Sequence, residues 1–177
     1  AGAVAPKMEA QPVDSPAGRS QEIARSAVDS IQQTLELLRP DQVQKAVELL
    51  EKAPRILCMG SGGSMIIASE FASLFSTVSN KFFPVADSHT QMTSTATMGT
   101  DDIIVLFSYS GATTGGLQIL ELAKSRGIST ILVTRYHKSP AAKLADVVLH
   151  CGSTEGPFQF GSVPAKIAQL IVMDVLF

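Results

Sequence analysis

Ile56-Leu57-Cys58-Met59-Gly60-Ser61-Gly62-Gly63-Ser64 is the stretch on which the reading of this chain turns. A short apolar, β-prone run breaks into a glycine turn, and an amphipathic helical pattern starts directly after it. Ile103 to Phe107, followed by Ser108-Tyr109-Ser110-Gly111-Ala112-Thr113, repeats the arrangement. In both, small residues and hydroxyls fall at a strand-to-helix turn, where free backbone N–H groups and the positive end of the helix dipole favour an oxyanion. Either turn alone has a plain alternative, a tight strand-to-helix connection. Two such turns on neighbouring strands read together as one oxyanion pocket.

Working outward, Arg55 to Met59, Phe82 to Ala86, Ile103 to Phe107, Thr130 to Thr134 and Val147 to His150 read as five strands that alternate with helical patterns. That alternation specifies an α/β fold: a three-layer αβα sandwich around a five-stranded parallel, doubly wound sheet with right-handed crossovers. Ligands of such sheets lie beyond the carboxyl ends of the strands where the strand order reverses, and both turns fall at carboxyl ends. Two helices are expected before the first strand. Ile23, Ala27, Ile31, Leu35 and Leu38 repeat at helical spacing until Pro40, and Val43, Ala46, Val47 and Leu50 form the next stripe, with Asp41 as its expected cap. Residues 1–19, with Pro6, Pro12, Pro16 and Gly18, read as a flexible arm. Residues 20–177 then form one domain, with leading helices at 20–53 and an α/β core at 54–177.

The chain has 177 residues, 45% of them hydrophobic and only 17% charged, which suits a sheet covered on both faces. A net charge of −2 without a basic cluster argues against this segment gripping a nucleic-acid backbone by itself. Cys58 and Cys151 form no CxxC pair and read as thiols of a reducing compartment, so a cytoplasmic protein is expected. The first twenty residues lack a signal-peptide pattern, and Lys166, Gln169 and Asp174 interrupt the apolar closing helix, so no membrane span is expected. Nucleotide and hydrolase motifs fail on spacing. Met65 stands where GxGxxG needs its third glycine, no Gly-Lys pair exists for a P-loop, and no serine lies in GxSxG. His137 and His150 lack metal-ligand spacing; neither cofactor nor metal is expected.

The donors expected on a phosphate are Ser61, Gly62, Gly63 and Ser64 at the first turn, and Ser108, Tyr109, Ser110, Gly111 and Thr113 at the second. At the second turn the N–H groups of Gly111 to Thr113 are expected to form a nest. No Lys or Arg belongs to either turn. Glu155, in the loop after the last strand, and His89, after the second, are candidates for substrate hydroxyls. A solvated loop carboxylate and an ordinary helix-start histidine remain their alternatives.

Taken as a set, these motifs resemble the sugar isomerase (SIS) domain, and most closely the effector-binding half of RpiR-type bacterial transcription regulators. The carriers are Ile56 to Ser64 as IxxxGxGxS, Asp87-Ser88-His89, Ser108 to Thr113 as SxSGxT, Ser139-Pro140 with Ala145-Asp146, and the stretch Ile167 to Leu176. The resemblance implies a flavodoxin-like SIS fold and a phosphosugar ligand, with Ser64, Ser108, Ser110 and Thr113 on its phosphate and Glu155 near its hydroxyls. It also implies a homodimer or tetramer with the leading helices and the closing helix at subunit boundaries. DNA contact would come from an amino-terminal helix-turn-helix domain that this chain does not include. A free-standing aldose–ketose isomerase with Glu155 as base and His89 beside it is the alternative. Against it, the Lys that some such enzymes place before the first serine is Gly63 here, the acidic residue often found just after SxSGxT is Gly115, and the last helix has no histidine.

Overall fold

The computed structural model describes residues 15–152 and 162–177. Its strands are β1 (Ile56–Gly60), β2 (Phe82–Val85), β3 (Ile103–Phe107), β4 (Ser129–Thr134) and β5 (Val147–His150). The helices are α1 (Pro16–Leu37), α2 (Pro40–Lys52), α3 (Gly63–Ser76), α4 (Ser88–Thr97), α5 (Thr114–Arg126) and α6 (Val163–Leu176). All strand pairs are parallel and the order is β2-β1-β3-β4-β5, the flavodoxin-like doubly wound arrangement.

Parallel strands covered on both faces carry apolar residues in both directions, and β1 and β3 are buried throughout. Ile56, Cys58, Val105 and Val133 face one core with α2, α3 and α6. Leu57, Met59, Leu106 and Leu132 face the other with α4 and α5. The first core is anchored by Phe71 of α3, whose ring contacts Phe75, Phe82 and Phe107. Burial pushes the Cys58 thiol up to about 12, so it packs as a small hydrophobe. Among the described residues, no helix is long and apolar enough to cross a membrane.

Two helix starts and one buried face differ from the sequence reading. Helix α1 begins at Pro16, four residues before the expected start at Ser20. Proline at the first helical position lacks only an N–H that the helix would leave free, and the Ser15 hydroxyl accepts from the Gly18 N–H at 3.0 Å. The rest of the proposed arm, residues 1–14, lies outside the described residues. Helix α2 begins at Pro40 with Arg39 at its cap, so Asp41 sits inside the first turn. There it accepts from the Arg39 guanidinium at 3.0 and 3.1 Å rather than capping the helix. Finally, α1 buries Gly18, Ser30 and Thr34, while Ile23 and Leu35 of its apolar stripe are each 57% exposed. Its small polar face is the one that meets the body: the Thr34 hydroxyl accepts from the Gly152 N–H at 2.9 Å, just beyond β5.

Candidate functional site

The register Gly60↔Phe107 brings the ends of β1 and β3 level, so both turns leave the sheet from adjacent strands, roughly 4.8 Å apart. Strand order reverses at this pair: β2 lies outside β1, and β4 outside β3. The two turns occupy the switch-point crevice.

At the first turn, a Cβ on Gly60 would lie 2.8 Å from the carbonyl carbon and oxygen of Ser64, so α3 starts directly against the strand end. Gly62 has φ 54° and ψ −125°, a conformation open to glycine, and caps α3 without a side-chain hydrogen bond. Ser61 and Gly62 are exposed, while Gly63 and Ser64 are half-buried.

The second turn is tied down from several sides. Ser108 is buried and its N–H donates to the Val133 carbonyl at 3.0 Å; its hydroxyl lies 3.4 Å from that of Thr113. Gly111 has φ 61°, and a Cβ there would fall 2.3 Å from the Ser139 hydroxyl oxygen and 2.9 Å from that of Thr134. The Gly111 carbonyl accepts from the Ala141 N–H at 3.0 Å, and the Tyr109 carbonyl accepts from the Thr134 hydroxyl and the Arg135 N–H. The expected nest is altered. The Gly111 N–H is committed to the Ser108 carbonyl at 3.0 Å and the Ala112 N–H to the Ser110 hydroxyl oxygen at 3.3 Å. Free donors therefore move one step on, to the first turn of α5, which Thr113 caps with no side-chain bond.

The other helix starts are closed. Ser15, Asp87 and Ser162 each accept from a first-turn N–H of α1, α4 and α6, and α2 opens with proline. Among the described residues, the α-helices that begin at the two turns, α3 and α5, are the ones with neither a side-chain cap nor a proline at the start; in α3 the N–H groups of Ser64 and Met65 donate to the Ser61 and Gly62 carbonyls at 3.1 Å. A cation joins them. Lys166 of α6 is half-buried, and its Cε lies 3.6 Å from where a Cβ on Gly63 would stand. It makes no ion pair among the described residues. Positive charge beside the positive end of α3 is unfavourable until an anion lies between them. Sequence reading missed Lys166 because 103 positions separate it from Gly63; its place as the single cation of an apolar helix was the one available signal.

His89 lies in the first turn of α4, exposed at the same carboxyl edge. The N–H and hydroxyl of Thr90 hold the Asp87 carboxyl below its usual range and so secure this helix start. Glu155 lies outside the described residues. His150 is half-buried and stacked on His137 with ring centroids 3.7 Å apart. Burial, then the charges of His137, Arg135 and Arg39, bring it down to about 4. No group of metal-ligating residues occurs among the described residues. Clefts at the opposite end of the sheet, lined by Lys45, Glu48, Lys52, Asp101 and Asp146, mix both charges and contain no helix start.

The fold and crevice define a doubly wound α/β domain with paired glycine-serine turns at its switch point. The SIS domain family model matches residues 49–177, and the chain belongs to that family. It is 35% identical over 157 residues to an HTH-type transcriptional regulator of Caldanaerobacter subterraneus subsp. tengcongensis, covering 89% of this chain and 56% of that protein. The chain thus spans about half the length of the curated relatives it matches. Among solved structures, the Vibrio vulnificus NanR protein complexed with ManNAc-6P superposes with a TM-score of 0.85 at 29% identity, covering 89% of this chain and 60% of the other. The sugar isomerase domain of an RpiR transcription factor from Sphaerobacter thermophilus gives a TM-score of 0.78 at 22% identity, covering 88% of each chain, a likeness of fold.

Proposed function

We propose that this chain is the phosphosugar-binding effector domain of an RpiR-type transcription regulator. The observation that carries the reading is the pairing of two helix starts without side-chain caps on adjacent strands with Lys166, which makes no ion pair among the described residues, beside one of them. A phosphate is the common anion that takes many donors within a small volume. Its oxygens would meet the Gly63 and Ser64 end of α3 and the hydroxyls of Ser108, Ser110 and Thr113 at the start of α5. Ser61, Gly62, Tyr109 and Gly111 shape the cradle, and Lys166 adds a full positive charge. His89 and Glu155 are assigned to the sugar hydroxyls. The ligand of the NanR structure, ManNAc-6P, supports a sugar phosphate as the chemical class.

Regulation requires the ligand to bind two states of the protein unequally. The exposed apolar residues Ile23, Val28 and Leu35 of α1, and Val163 and Val175 of α6, lie on two helices packed against each other. A second copy of the chain is the occupant that we assign to this surface. Ligand would alter that pairing and so the spacing of DNA-binding domains elsewhere in the whole protein.

Titration of a sugar-phosphate panel followed by ³¹P NMR, with sedimentation run in parallel, tests the reading. Selective broadening of one resonance, no product peak and a ligand-dependent sedimentation coefficient are expected. A growing product peak would replace the sensor with an isomerase, and no response to any sugar phosphate would remove both.

A further inference from the structure

Gln91 is 2% exposed, although it lies on a helix otherwise poor in apolar contacts. The two buried residues of α4 are Gln91 and Thr95, both polar, and the Thr95 hydroxyl donates back to the Gln91 carbonyl at 2.8 Å. Hydrophobic burial is non-directional and α4 has little of it, so packing alone leaves the rotation of this helix weakly defined. Hydrogen bonds supply the direction. The Gln91 Nε2 donates to the Gly60 carbonyl at 2.9 Å and to the Val85 carbonyl at 2.7 Å. One amide nitrogen therefore ties the last residue of β1, the last residue of β2 and the first turn of α4 together.

Two consequences meet at the crevice. Residues two apart on a helix point about 200° apart, so anchoring Gln91 inward holds His89 outward at the rim. The peptide after Gly60 is planar and trans, so fixing the Gly60 carbonyl also fixes the Ser61 N–H, which points the opposite way. The first turn and the His89 helix are thereby held in register by one side chain.

We infer that Gln91 is a positioning residue: it sets His89 against the Gly60–Ser64 turn and so determines how well the site reads the sugar beyond the phosphate. The inference rests on the phosphosugar reading for its functional part, whereas its geometric part stands in the ligand-free protein.

The test uses Gln91→Met, which keeps length but cannot donate, and Gln91→Glu, which donates only when protonated. In ligand-free protein, the Met variant is expected to displace the His89 ring resonances and the Ser61 to Ser64 amide resonances. Ring and amide positions unchanged from wild type would overturn the inference whether or not any sugar phosphate binds. In calorimetry with ManNAc-6P as probe, Gln91→Met is expected to weaken binding about tenfold, against at most about threefold for inorganic phosphate, which cannot reach His89. In a His89→Ala background the same change is expected to cost at most about threefold, the share carried by the first turn, because the larger part of the loss runs through His89. Equal and additive losses for both probes would reduce Gln91 to a structural role and overturn the inference. Should Gln91→Met fail to fold, Gln91→Glu carries the test. Two carbonyl oxygens raise its carboxyl pKa, and its single proton can restore one of the two bonds, so spectra closer to wild type are expected at about pH 5 than at about pH 8; spectra that ignore pH would overturn it. Wild-type protein that ignores every sugar phosphate of the panel, with the resonances displaced as expected in Gln91→Met, would remove the sugar-phosphate reading and leave the positioning intact.

Discussion

The two turns of the crevice share glycines and hydroxyls but are built in opposite ways. The second is preformed: Ser108 is buried, Gly111 fits against Ser139 and Thr134, and bonds from Thr134, Arg135 and Ala141 brace its carbonyls. The first is open: Gly62 has no atom within 4 Å of where a Cβ would stand, and the turn is held at its root by Gln91. A rigid cradle beside an adjustable one suits a ligand whose phosphate is constant and whose remainder must be read, because a pre-organised donor set costs little to order on binding.

The largest expected effect separates the turns directly. Gly111→Ala combines a left-handed backbone with a clash against Ser139 and is expected to cost about 3 kcal/mol or more. Gly62→Ala meets open space and is expected to cost about 1–2 kcal/mol from backbone strain alone. Denaturant unfolding of both variants checks the order; equal losses would break the contrast. Next, Lys166→Gln is expected to weaken sugar-phosphate binding about tenfold and to flatten its salt dependence, with the melting temperature held or raised because a cation leaves the amino end of α3. Calorimetry at two salt concentrations reads this, and unchanged affinity would remove Lys166 from the site. Ser110→Ala is expected to act more weakly, about three- to tenfold, since the hydroxyl accepts from Ala112 but retains its own proton for a ligand.

The smallest effect is one of pH. His150 pairs in register with Thr134, a support of the second turn, and its folded pKa lies near 4 against about 6.5 unfolded. The unfolded chain binds the extra proton, so stability contributed by neutral His150 is full above about pH 6.5 and is lost as pH falls toward 4. Thermal melts over that window, compared with His150→Gln, are expected to show a shallower decline in the variant. Hydrogen exchange is expected to locate the loosening in β5 and the second turn; loosening confined to the first turn would contradict the contrast.

Much of this was legible in one dimension. A parallel sheet buried on both faces forces apolar runs such as Ile56 to Met59 and Ile103 to Phe107, and a strand-to-helix turn that must approach a ligand draws glycine and serine. The strands, their alternation with helices and the residues of both turns therefore stand in the chain's own order. Proline misled at Pro16, because the same ring that breaks a helix also starts one. The stripe of α1 misled about burial within the monomer: Ile23 and Leu35 face outward and Ser30 and Thr34 inward.

Sequence alone determined the layered α/β fold and the place of the two glycine-serine turns, since periodicity and turn chemistry are local and topology follows from few connection rules. Tertiary structure alone decided which N–H groups remain free, how firmly each turn is held, and that Lys166 and Gln91 belong to the crevice. Those are distances between side chains and backbone atoms as many as 103 positions apart, and no local pattern encodes them.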